Sequence, residues 1–579
     1  MKKAFVGVTL VAVVLALVLS GCNKGGASGS GSGELPLLEY TVDLDYSIPA
    51  TTLDLSTDIV TPYLEKKFGI KVGEVIQGAT QQISFRQRLG AMVAAGNPPD
   101  VIIAGSENIA YAVSTGKYGD IDDQVNKMTN LNKYMDQKMW PRFEVNGKKV
   151  QIPQVEINTT IEPYVSDPYN IPFNPWTLWT REDILAKCGY TFTPLAEIEK
   201  EYTSQGKMPP REIFDITPPI DTPEAFMTYL RKIKALNLTV NDAPVIPLSG
   251  VGWNQFHIGS MFDSGHWRIR DGSVDGFLGG TGIKEYYKWL NRAYQEGLID
   301  PDFISQKDDQ LQQKVATGRV VTGMYTSDLA GANKALTDAN PAQRIRYIPW
   351  PKKEPYWGKF DIYESGFWRV TVRNDFKDKD RLTQYFDWFY SDEGLDILTW
   401  GPEEAGLWEI NSAGKKVFKD NKVKEDFLTG VSGKQGADYY GLWNYRQVYF
   451  PFHSRAAVCA PQLKGYNPYA YERSYDPVID IDILSKSLFG VTGQDFDGNY
   501  SYGDNSNDVA KINNWYWSRW TGELCAGVLT AVSDAAFERA WTEAYATFES
   551  ETDYQHAREL MAKWFKENGS TGKAPSGVN

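Results

Sequence analysis

The sequence predicts a two-lobed α/β protein, and three observations support that prediction. Strand and helix patterns alternate between Tyr40 and Ser106. They alternate again from Ile171 to Ile348. The chain has 579 residues, which is too many for one hydrophobic core and enough for two large lobes. We therefore expect a first lobe over 37–170, a second over 171–349, and a C-terminal part over 350–579 that returns through the hinge and contributes to both. Residues 430–520 of that part have little helical periodicity and are predicted to form long ordered loops, and a helix is predicted over 537–565.

The first lobe is predicted to be a β-α-β-α-β unit. Strand patterns cover 41–45, 70–76 and 101–104, and helix patterns cover 57–68 and 85–96. Such crossovers produce a parallel sheet, and ligands bind beyond the carboxyl ends of its strands. Asp45 and Glu107 follow two of those ends, so we identify them as candidate hydrogen-bond acceptors for a hydroxyl-rich ligand. Helix capping and simple solvation are the alternatives for both carboxylates.

The second lobe is predicted from a helix start and from two junctions between strands and loops. Thr222-Pro223-Glu224 supplies the hydroxyl, the proline and the acid that are typical of a first helical turn. The strand predicted over 318–324 leads into Tyr325, and the strand over 344–348 leads into Trp350. Tyr325 thus occupies the same kind of ligand-facing loop as the two acids of the first lobe. Trp350 presents an indole where we expect the chain to cross between lobes.

A targeting segment begins the chain. Met1-Lys2-Lys3 is basic and Phe5 to Leu19 is apolar, which is the pattern of a cleaved export signal. Leu19-Ser20-Gly21-Cys22 resembles the lipobox of bacterial lipoproteins, in which cleavage precedes a cysteine that is acylated. The resemblance implies a signal peptide over 1–21, lipidation of Cys22 and a flexible tether over 22–36. The protein would then be anchored on the extracytoplasmic face of the cell membrane; an uncleaved signal anchor is the alternative.

Composition restricts the partners and the cross-links. The formal net charge is −13, and an acidic chain suits nucleic acid poorly, because that binding depends on basic patches. Apart from Cys22, the cysteines are Cys188, Cys459 and Cys525, and an odd number cannot form a complete disulfide framework. One bridge and three buried thiols both stay open. Aromatic residues make up 13% of the chain, which favours rings that stack on a flat apolar ligand face as well as core packing.

Six short motifs occur in order along the chain. They are TPYLEKKFGI at 61–70, LGAMVAAGNPPDV at 89–101, LWTREDIL at 178–185, YQEGLIDPDF at 294–303, FDWFYSDEG at 386–394 and WG at 400–401. Together they resemble the large lipoprotein solute-binding proteins of carbohydrate ABC importers, the extracellular solute-binding family 1 group with LplA-like and alginate-oligosaccharide-binding members. The resemblance implies a periplasmic-binding-protein-like fold with a hinge and a ligand cleft between the lobes. It also implies an oligosaccharide ligand and ABC permease subunits as partners, and we expect a monomer.

Aromatic and polar side chains in turn-rich sequence are the candidate sugar contacts, because rings stack on sugar faces and amides bond their hydroxyls. The candidates are Trp253, Asn254, Trp267, Trp350, Trp368, Trp400 and Trp408, with Arg446 as the partner for a carboxylate if the sugar is acidic. Core packing is the alternative for each tryptophan, and pairing with surface acids is the alternative for the arginine. Trp289, Trp388 and Trp541 lie in amphipathic helix patterns and are predicted to be core residues.

The sequence contains few motifs that indicate a metal site or an enzyme active site. Many relatives carry a calcium loop where this chain has NLTVNDA at 237–243, with too few oxygen ligands, so we predict no cofactor and leave a structural calcium ion as the alternative. The stretch DFDGNYS at 495–501 has alternating oxygens but lacks the later glutamate of an EF-hand. No motif for a nucleophile, a zinc protease or a phosphate loop is present, so we expect no enzyme. A glycan-binding adhesin, a peptide receptor and a glycoside hydrolase or lyase remain as alternatives.

Overall fold

The computed structural model describes the chain in segments. The described residues are 36–44, 58–76, 85–135, 140, 143–155, 177–205, 207, 209–252, 254–262, 267–270, 273–324, 329–353, 365–412, 414, 416–429, 439–442, 481–482, 485, 508, 511–512 and 515–567.

Strands and helices alternate through most of these segments. The strands are β1 (Leu38–Leu44), β2 (Ile70–Ile76), β3 (Val101–Ala104), β4 (Glu144–Val145), β5 (Lys148–Lys149), β6 (Ile152–Val155), β7 (Leu178–Arg181), β8 (Thr239–Val240), β9 (Ala243–Pro244), β10 (Ile246–Ser249), β11 (Arg268–Arg270), β12 (Ser273–Asp275), β13 (Val320–Met324), β14 (Ile345–Ile348), β15 (Ser365–Val372), β16 (Trp408–Ile410) and β17 (Lys416–Phe418). The α-helices are α1 (Val60–Phe68), α2 (Phe85–Ala94), α3 (Ser106–Ser114), α4 (Asp122–Lys127), α5 (Thr129–Tyr134), α6 (Glu182–Lys187), α7 (Leu195–Glu201), α8 (Pro223–Ala235), α9 (Asn254–Ile258), α10 (Ile283–Gln295), α11 (Asp308–Ala316), α12 (Leu329–Ala339), α13 (Lys379–Trp388), α14 (Asp392–Trp400), α15 (Asn421–Thr429), α16 (Cys525–Leu529), α17 (Asp534–Thr552) and α18 (Tyr554–Glu567). A π-helix (Tyr516–Leu524) precedes α16.

The first lobe is built on a five-stranded sheet with the order β2-β1-β3-β15-β6. β1 pairs in parallel with both β2 and β3, as the β-α-β-α-β pattern predicts. β15 pairs antiparallel with β3 and with β6. The chain therefore returns to the first sheet after it has completed the second one.

The second lobe is built on a four-stranded sheet with the order β10-β13-β7-β14. β10 and β13 are parallel, whereas β7 runs antiparallel to β13 and to β14. The carboxyl ends of β10 and β13 thus share one edge of the sheet, which is the edge where ligands bind in open α/β sheets.

Helix ends follow capping chemistry, some of it local and some of it distant. Thr222 Oγ1 accepts a hydrogen bond from Ala225 N at 3.2 Å, and Pro223 is the first residue of α8, as predicted. Asp387, in α13, accepts a bond from Leu131 N at 2.8 Å and so caps α5. A carboxylate at a helix start satisfies backbone donors that have no partner within the helix. The chain that returns to the first lobe therefore helps to fix one of its helices.

The C-terminal part differs from its prediction in two places. The helix pattern over 537–565 is divided into α17 and α18, because Asp553 between them adopts a left-handed conformation with φ 52°. The stretch 430–520 reads as long loops in the sequence, but its described end enters the π-helix. Residues 443–480 and 486–507 of that stretch lie outside the described residues.

The largest hydrophobic cluster contains side chains from both sheets and from the C-terminal helices, including Val42, Val321 and Phe548. Trp289, Trp388 and Trp541 are only 5%, 6% and 6% exposed, which confirms that they are core residues. Burial of these rings and of the strand side chains is the main source of stability.

Candidate functional site

Several of the predicted ligand residues, or their side chains, lie outside the part of the chain that the structure describes. Asp45, Trp253, Tyr325 and Arg446 lie outside the described residues, as does Cys22. Glu107 is the second residue of α3 and Trp368 lies in β15, but the placement of their side chains is not described. Their ligand roles stay predictions.

Three predicted stacking tryptophans are core residues instead. Trp267 is fully buried, with its ring stacked on Tyr554 at a centroid distance of 5.5 Å and 2° between the planes. Trp350 is 5% exposed, and Trp400 is 2% exposed with its ring 5.0 Å from that of Phe418. A sugar can stack only on an open ring face. We therefore correct the prediction for Trp267, Trp350 and Trp400 and assign them to packing.

Trp408 is half-buried in the β16–β17 hairpin and already has partners. Its Nε1 donates a hydrogen bond to Gly401 O at 3.0 Å. The Lys416 ammonium lies 3.6 Å from the centre of its ring, in a cation–π contact. The lysine contacts one face of this half-buried ring, so the ligand role of Trp408 stays a prediction.

Asn254 shapes a loop rather than presenting an open amide. Its side chain is fully buried, and its Oδ1 accepts a hydrogen bond from Val251 N at 2.9 Å. The bond closes the turn that connects β10 to α9. Asn254 is therefore a positioning residue. Its Nδ2 is buried and has no hydrogen-bond partner among the described residues, so its direct contact with a ligand stays a prediction.

A cavity of about 570 Å³ lies at the carboxyl end of β10. Its walls come from the β10–α9 loop, from the start of α11 and from the π-helix, and the lining residues are Val251, Gly252, Ile304, Gln306, Lys307, Asp309, Trp517 and Thr521. Gly252 permits the narrow part of this arrangement, since a Cβ there would lie 2.9 Å from Ile304 O. The cavity thus occupies the edge of the sheet where a ligand site is expected.

Trp517 gives the cavity a ring with exposed surface. Its side chain is 36% exposed, whereas the neighbouring Tyr516 and Trp520 are buried. The Tyr516 ring lies 5.4 Å away and perpendicular to it, which fixes its orientation. Sequence reasoning missed Trp517, although the aromatic run Trp515-Tyr516-Trp517 beside two asparagines was a signal.

A buried hydrogen-bond chain joins the π-helix to the start of α9, directly after the β10–α9 loop. Trp520 Nε1 donates to Tyr287 Oη at 2.7 Å, and Tyr287 Oη donates to Gln255 Oε1 at 3.0 Å. Gln255 Nε2 contacts Cys525 Sγ at 3.6 Å. Burial raises the pKa of Tyr287 well above its ordinary value, so the phenol keeps the proton that it donates. The two walls of the cavity are therefore held together by satisfied polar groups.

A second network supports the wall that contains Gln306. The Asp300 carboxylate is 1% exposed and accepts hydrogen bonds from Ser249 Oγ at 2.7 Å and from Lys314 Nζ at 2.8 Å. Burial alone would raise the pKa of Asp300, but these bonds outweigh it and lower the pKa below the ordinary value. Gln306 Nε2 donates to the same carboxylate at 3.2 Å. Asp300 is thus a charged anchor behind the cavity wall.

The described lining carries binding chemistry. Lys307 and Asp309 are exposed and balance each other in charge, and Asp309 is the one carboxylate among the described lining residues. Glycosidases require a pair of carboxylates on either side of the scissile bond. The ring, the amide and the two charged groups are instead typical of a site that holds a polar ligand.

The model for bacterial extracellular solute-binding proteins matches residues 58–398, which is more than half of the chain. The chain belongs to this family. The match confirms the resemblance that the ordered motifs indicate, and it covers the second sheet and all strands of the first sheet except β1. No curated protein sequence is similar enough to count as a match.

Solved structures share the fold of this solute-binding protein at low sequence identity. The alginate-binding protein AlgQ2, without calcium ion, is 15% identical with a TM-score of 0.56 over 92% of this chain and 98% of that chain. An HMO-binding, ABC-transporter-associated solute-binding protein from Bifidobacterium longum infantis is 14% identical, with a TM-score of 0.56 over 92% of this chain and 99% of that chain. FusA from S. pneumoniae in complex with kestose is 14% identical, with a TM-score of 0.57 over 92% of this chain and 100% of that chain. These likenesses confirm the two-lobed α/β fold class.

The segment 237–243, where the resemblance implies a calcium loop, contains the β8–β9 hairpin. Asn241 and Asp242 have φ values of 50° and 62° and form the two-residue turn of the β8–β9 hairpin. A tight turn of this kind does not provide the six or more oxygens that calcium requires. In the described residues, no group of three or more His, Cys, Asp or Glu side chains is arranged to hold a metal. The stretch 495–501 lies outside them.

The described cysteines are not joined in a disulfide bond. Cys188 and Cys525 are free and buried, and burial raises the pKa of each thiol to about 11. Cys459 lies outside the described residues.

Among the helices that the structure describes, none combines the length and the apolar composition needed to cross a membrane.

Proposed function

We propose that this solute-binding protein captures an oligosaccharide at the carboxyl end of β10 and delivers it to the permease of an ABC importer. The observation that carries the proposal is the exposed Trp517 ring on a cavity that also contains Gln306, Lys307 and Asp309. An indole face matches the apolar face of a sugar, and the polar groups match its hydroxyls. The ligands named for the structural relatives, alginate, HMO and kestose, support a carbohydrate.

Chain continuity adds two residues to the proposed site. Trp253 follows Gly252, which lines the cavity, and Tyr325 follows Met324 at the end of β13. We propose both as ligand contacts. Four further residues are proposed to contact the ligand from other parts of a cleft between the lobes: Asp45, Glu107, Trp368 and Arg446. The proposed lobe boundaries are at residues 170 and 349. The protein is proposed to be a monomer.

A thermal-shift screen tests this function. Ligand at 100 times its dissociation constant should stabilise the protein by about 2.7 kcal/mol. We expect a shift with neutral or acidic oligosaccharides, none with peptides, and recovery of the sugar uncleaved. A shift with peptides alone would favour a peptide receptor, and cleavage of the sugar would favour a hydrolase or lyase.

Membrane attachment is proposed to occur through lipid on Cys22, with residues 22–36 as the tether. Two acyl chains anchor a protein stably, where a single chain does not. Replacing the acceptor, Cys22→Ala, should move the protein from the membrane fraction to the soluble fraction and abolish incorporation of labelled fatty acid. Cys188→Ala is the matched control and should leave the protein on the membrane. Membrane retention of the Cys22→Ala protein would contradict lipid anchoring.

A further inference from the structure

Gln306 lies in the cavity wall. Its amide nitrogen is hydrogen-bonded to the protein, whereas its amide oxygen has no hydrogen-bond partner among the described residues. The residue is 7% exposed, and the two protons of its Nε2 are shared among three acceptors, Ser249 Oγ at 3.0 Å, Gly250 O at 2.5 Å and Asp300 Oδ2 at 3.2 Å. Its Oε1 is buried and has no hydrogen-bond partner among the residues that the structure describes. A buried acceptor in this state is unusual in a native protein.

The orientation of this amide is fixed by its surroundings. The Ser249 hydroxyl donates its proton to Asp300 Oδ2 at 2.7 Å, so it is an acceptor toward Gln306. A rotated amide would place Oε1 against a hydroxyl oxygen, a carbonyl and a carboxylate at once, and none of them has a proton to offer. The amide nitrogen therefore faces the protein interior, and the oxygen remains as an acceptor for some other group.

The charges around Gln306 select which group can approach. The Asp300 carboxylate lies behind the amide, and Lys314 Nζ, which contacts it at 2.8 Å, also contacts Asp302 at 2.9 Å. The described lining adds the opposite charges of Lys307 and Asp309. An anionic group placed against Oε1 would meet a second acceptor with no proton between them, whereas a hydroxyl or an amide N–H would supply one.

We infer that Gln306 determines specificity by accepting a hydrogen bond from a hydroxyl or amide N–H of the bound sugar, so that this subsite takes a neutral sugar residue rather than a uronate. The inference rests on the proposed function and adds the substrate class.

Paired changes in protein and ligand test the inference on the full-length chain. The probes are kestose, neutral milk-type oligosaccharides and alginate oligosaccharides, followed by single deoxy derivatives of the tightest neutral binder. In the wild type, one deoxy position should weaken binding about tenfold, as expected for one lost hydrogen bond to a buried group. In the variant Gln306→Met, the same deoxy change should weaken binding less than twofold. A purely structural role of Gln306 would weaken both ligands equally and leave their ratio unchanged.

Controls separate the possible outcomes. Gln313→Met, at an exposed position of α11, should retain the wild-type ratio. If Gln306→Met does not fold, the wild-type comparison decides: preference for neutral sugars together with one tenfold deoxy position supports the inference, and preference for alginate oligosaccharides overturns it. Sugar binding with equal deoxy ratios in both proteins overturns this inference alone. If no oligosaccharide binds the wild type, the proposed function fails and the inference fails with it.

Discussion

Trp517 and Asp300 illustrate two different ways in which single side chains serve the cavity. Trp517 has exposed ring surface at the site, so a ligand can contact that surface. Asp300 is buried behind the wall and bonds to Ser249 and Lys314, so it acts on the ligand only by holding other groups in place. Substitutions at these two positions should therefore separate loss of affinity from loss of stability.

The variant Trp517→Ala should weaken oligosaccharide binding about tenfold, because an aromatic contact contributes about 1.5 kcal/mol. Its free energy of unfolding should fall by about 1 kcal/mol, well below the cost of removing a fully buried ring, because the Trp517 ring is partly exposed. Titration calorimetry and chemical unfolding measure the two quantities.

Trp267→Ala is the matched control, because this ring is buried against Tyr554. It should cost about 3–5 kcal/mol of stability. Wild-type affinity in the Trp517→Ala protein would exclude the ring from the site.

The variant Asp300→Asn should lose about 2 kcal/mol of stability at pH 7, since it removes a buried charge that Lys314 neutralises. The pKa of Asp300 is lowered in the folded protein, so its contribution is present above the ordinary value of 3.8 and is lost as the pH falls through the folded value. The stability difference between wild type and variant should therefore shrink in acid. Urea unfolding at pH 7 and below pH 4 measures it.

Asp302→Asn provides the control, because Asp302 contacts the same lysine but is 61% exposed. Its effect should be small at every pH. A constant difference between wild type and Asp300→Asn across the pH range would contradict the assigned pKa direction.

The π-helix is the element that carries the ring of the cavity, and α10 holds it in place. The contact depends on Tyr287, which accepts a bond from Trp520 and donates one to Gln255. π-helical turns are rare and often occur at functional sites. The local geometry of Trp517 thus depends on a network that lies away from the ligand.

Tyr287→Phe should destabilise the protein by about 2 kcal/mol, because the Trp520 Nε1 and Gln255 Oε1 groups lose their shared partner in a buried environment. It should also weaken sugar binding severalfold through displacement of the π-helix. Thermal unfolding and calorimetry report the two effects. Tyr294→Phe, on the same helix at a half-buried position, should be close to wild type. Equal behaviour of the two variants would show that the network does not support the site.

Local patterns predicted elements better than they predicted the site. The β1-α1-β2-α2-β3 order and the capped start of α8 follow from periodicity and from side-chain chemistry within a few residues. The exposure of a tryptophan depends instead on segments distant in sequence, such as Tyr554 against Trp267. Asp553 could not be recognised as a helix break, because its left-handed conformation is not typical of an aspartate within a helix pattern.

The arrangement of the two sheets and the C-terminal part explains why the site includes residues so far apart in sequence. β15 returns the chain to the first sheet, and the π-helix with α16 and α17 then adds a wall to the second. The family model ends at residue 398, so the wall formed by Trp517 and Thr521 lies beyond the matched region. We expect ligand specificity to depend on this C-terminal part as well as on the matched core.

The most direct test of the proposed site is a crystal structure of the chain with a neutral oligosaccharide that binds it. We expect one sugar ring within about 4 Å of the Trp517 indole and a sugar hydroxyl or N–H about 3 Å from Gln306 Oε1. The glycosidic bonds should be intact. A sugar bound away from the carboxyl end of β10, or one held there without contact to Trp517, would contradict the account.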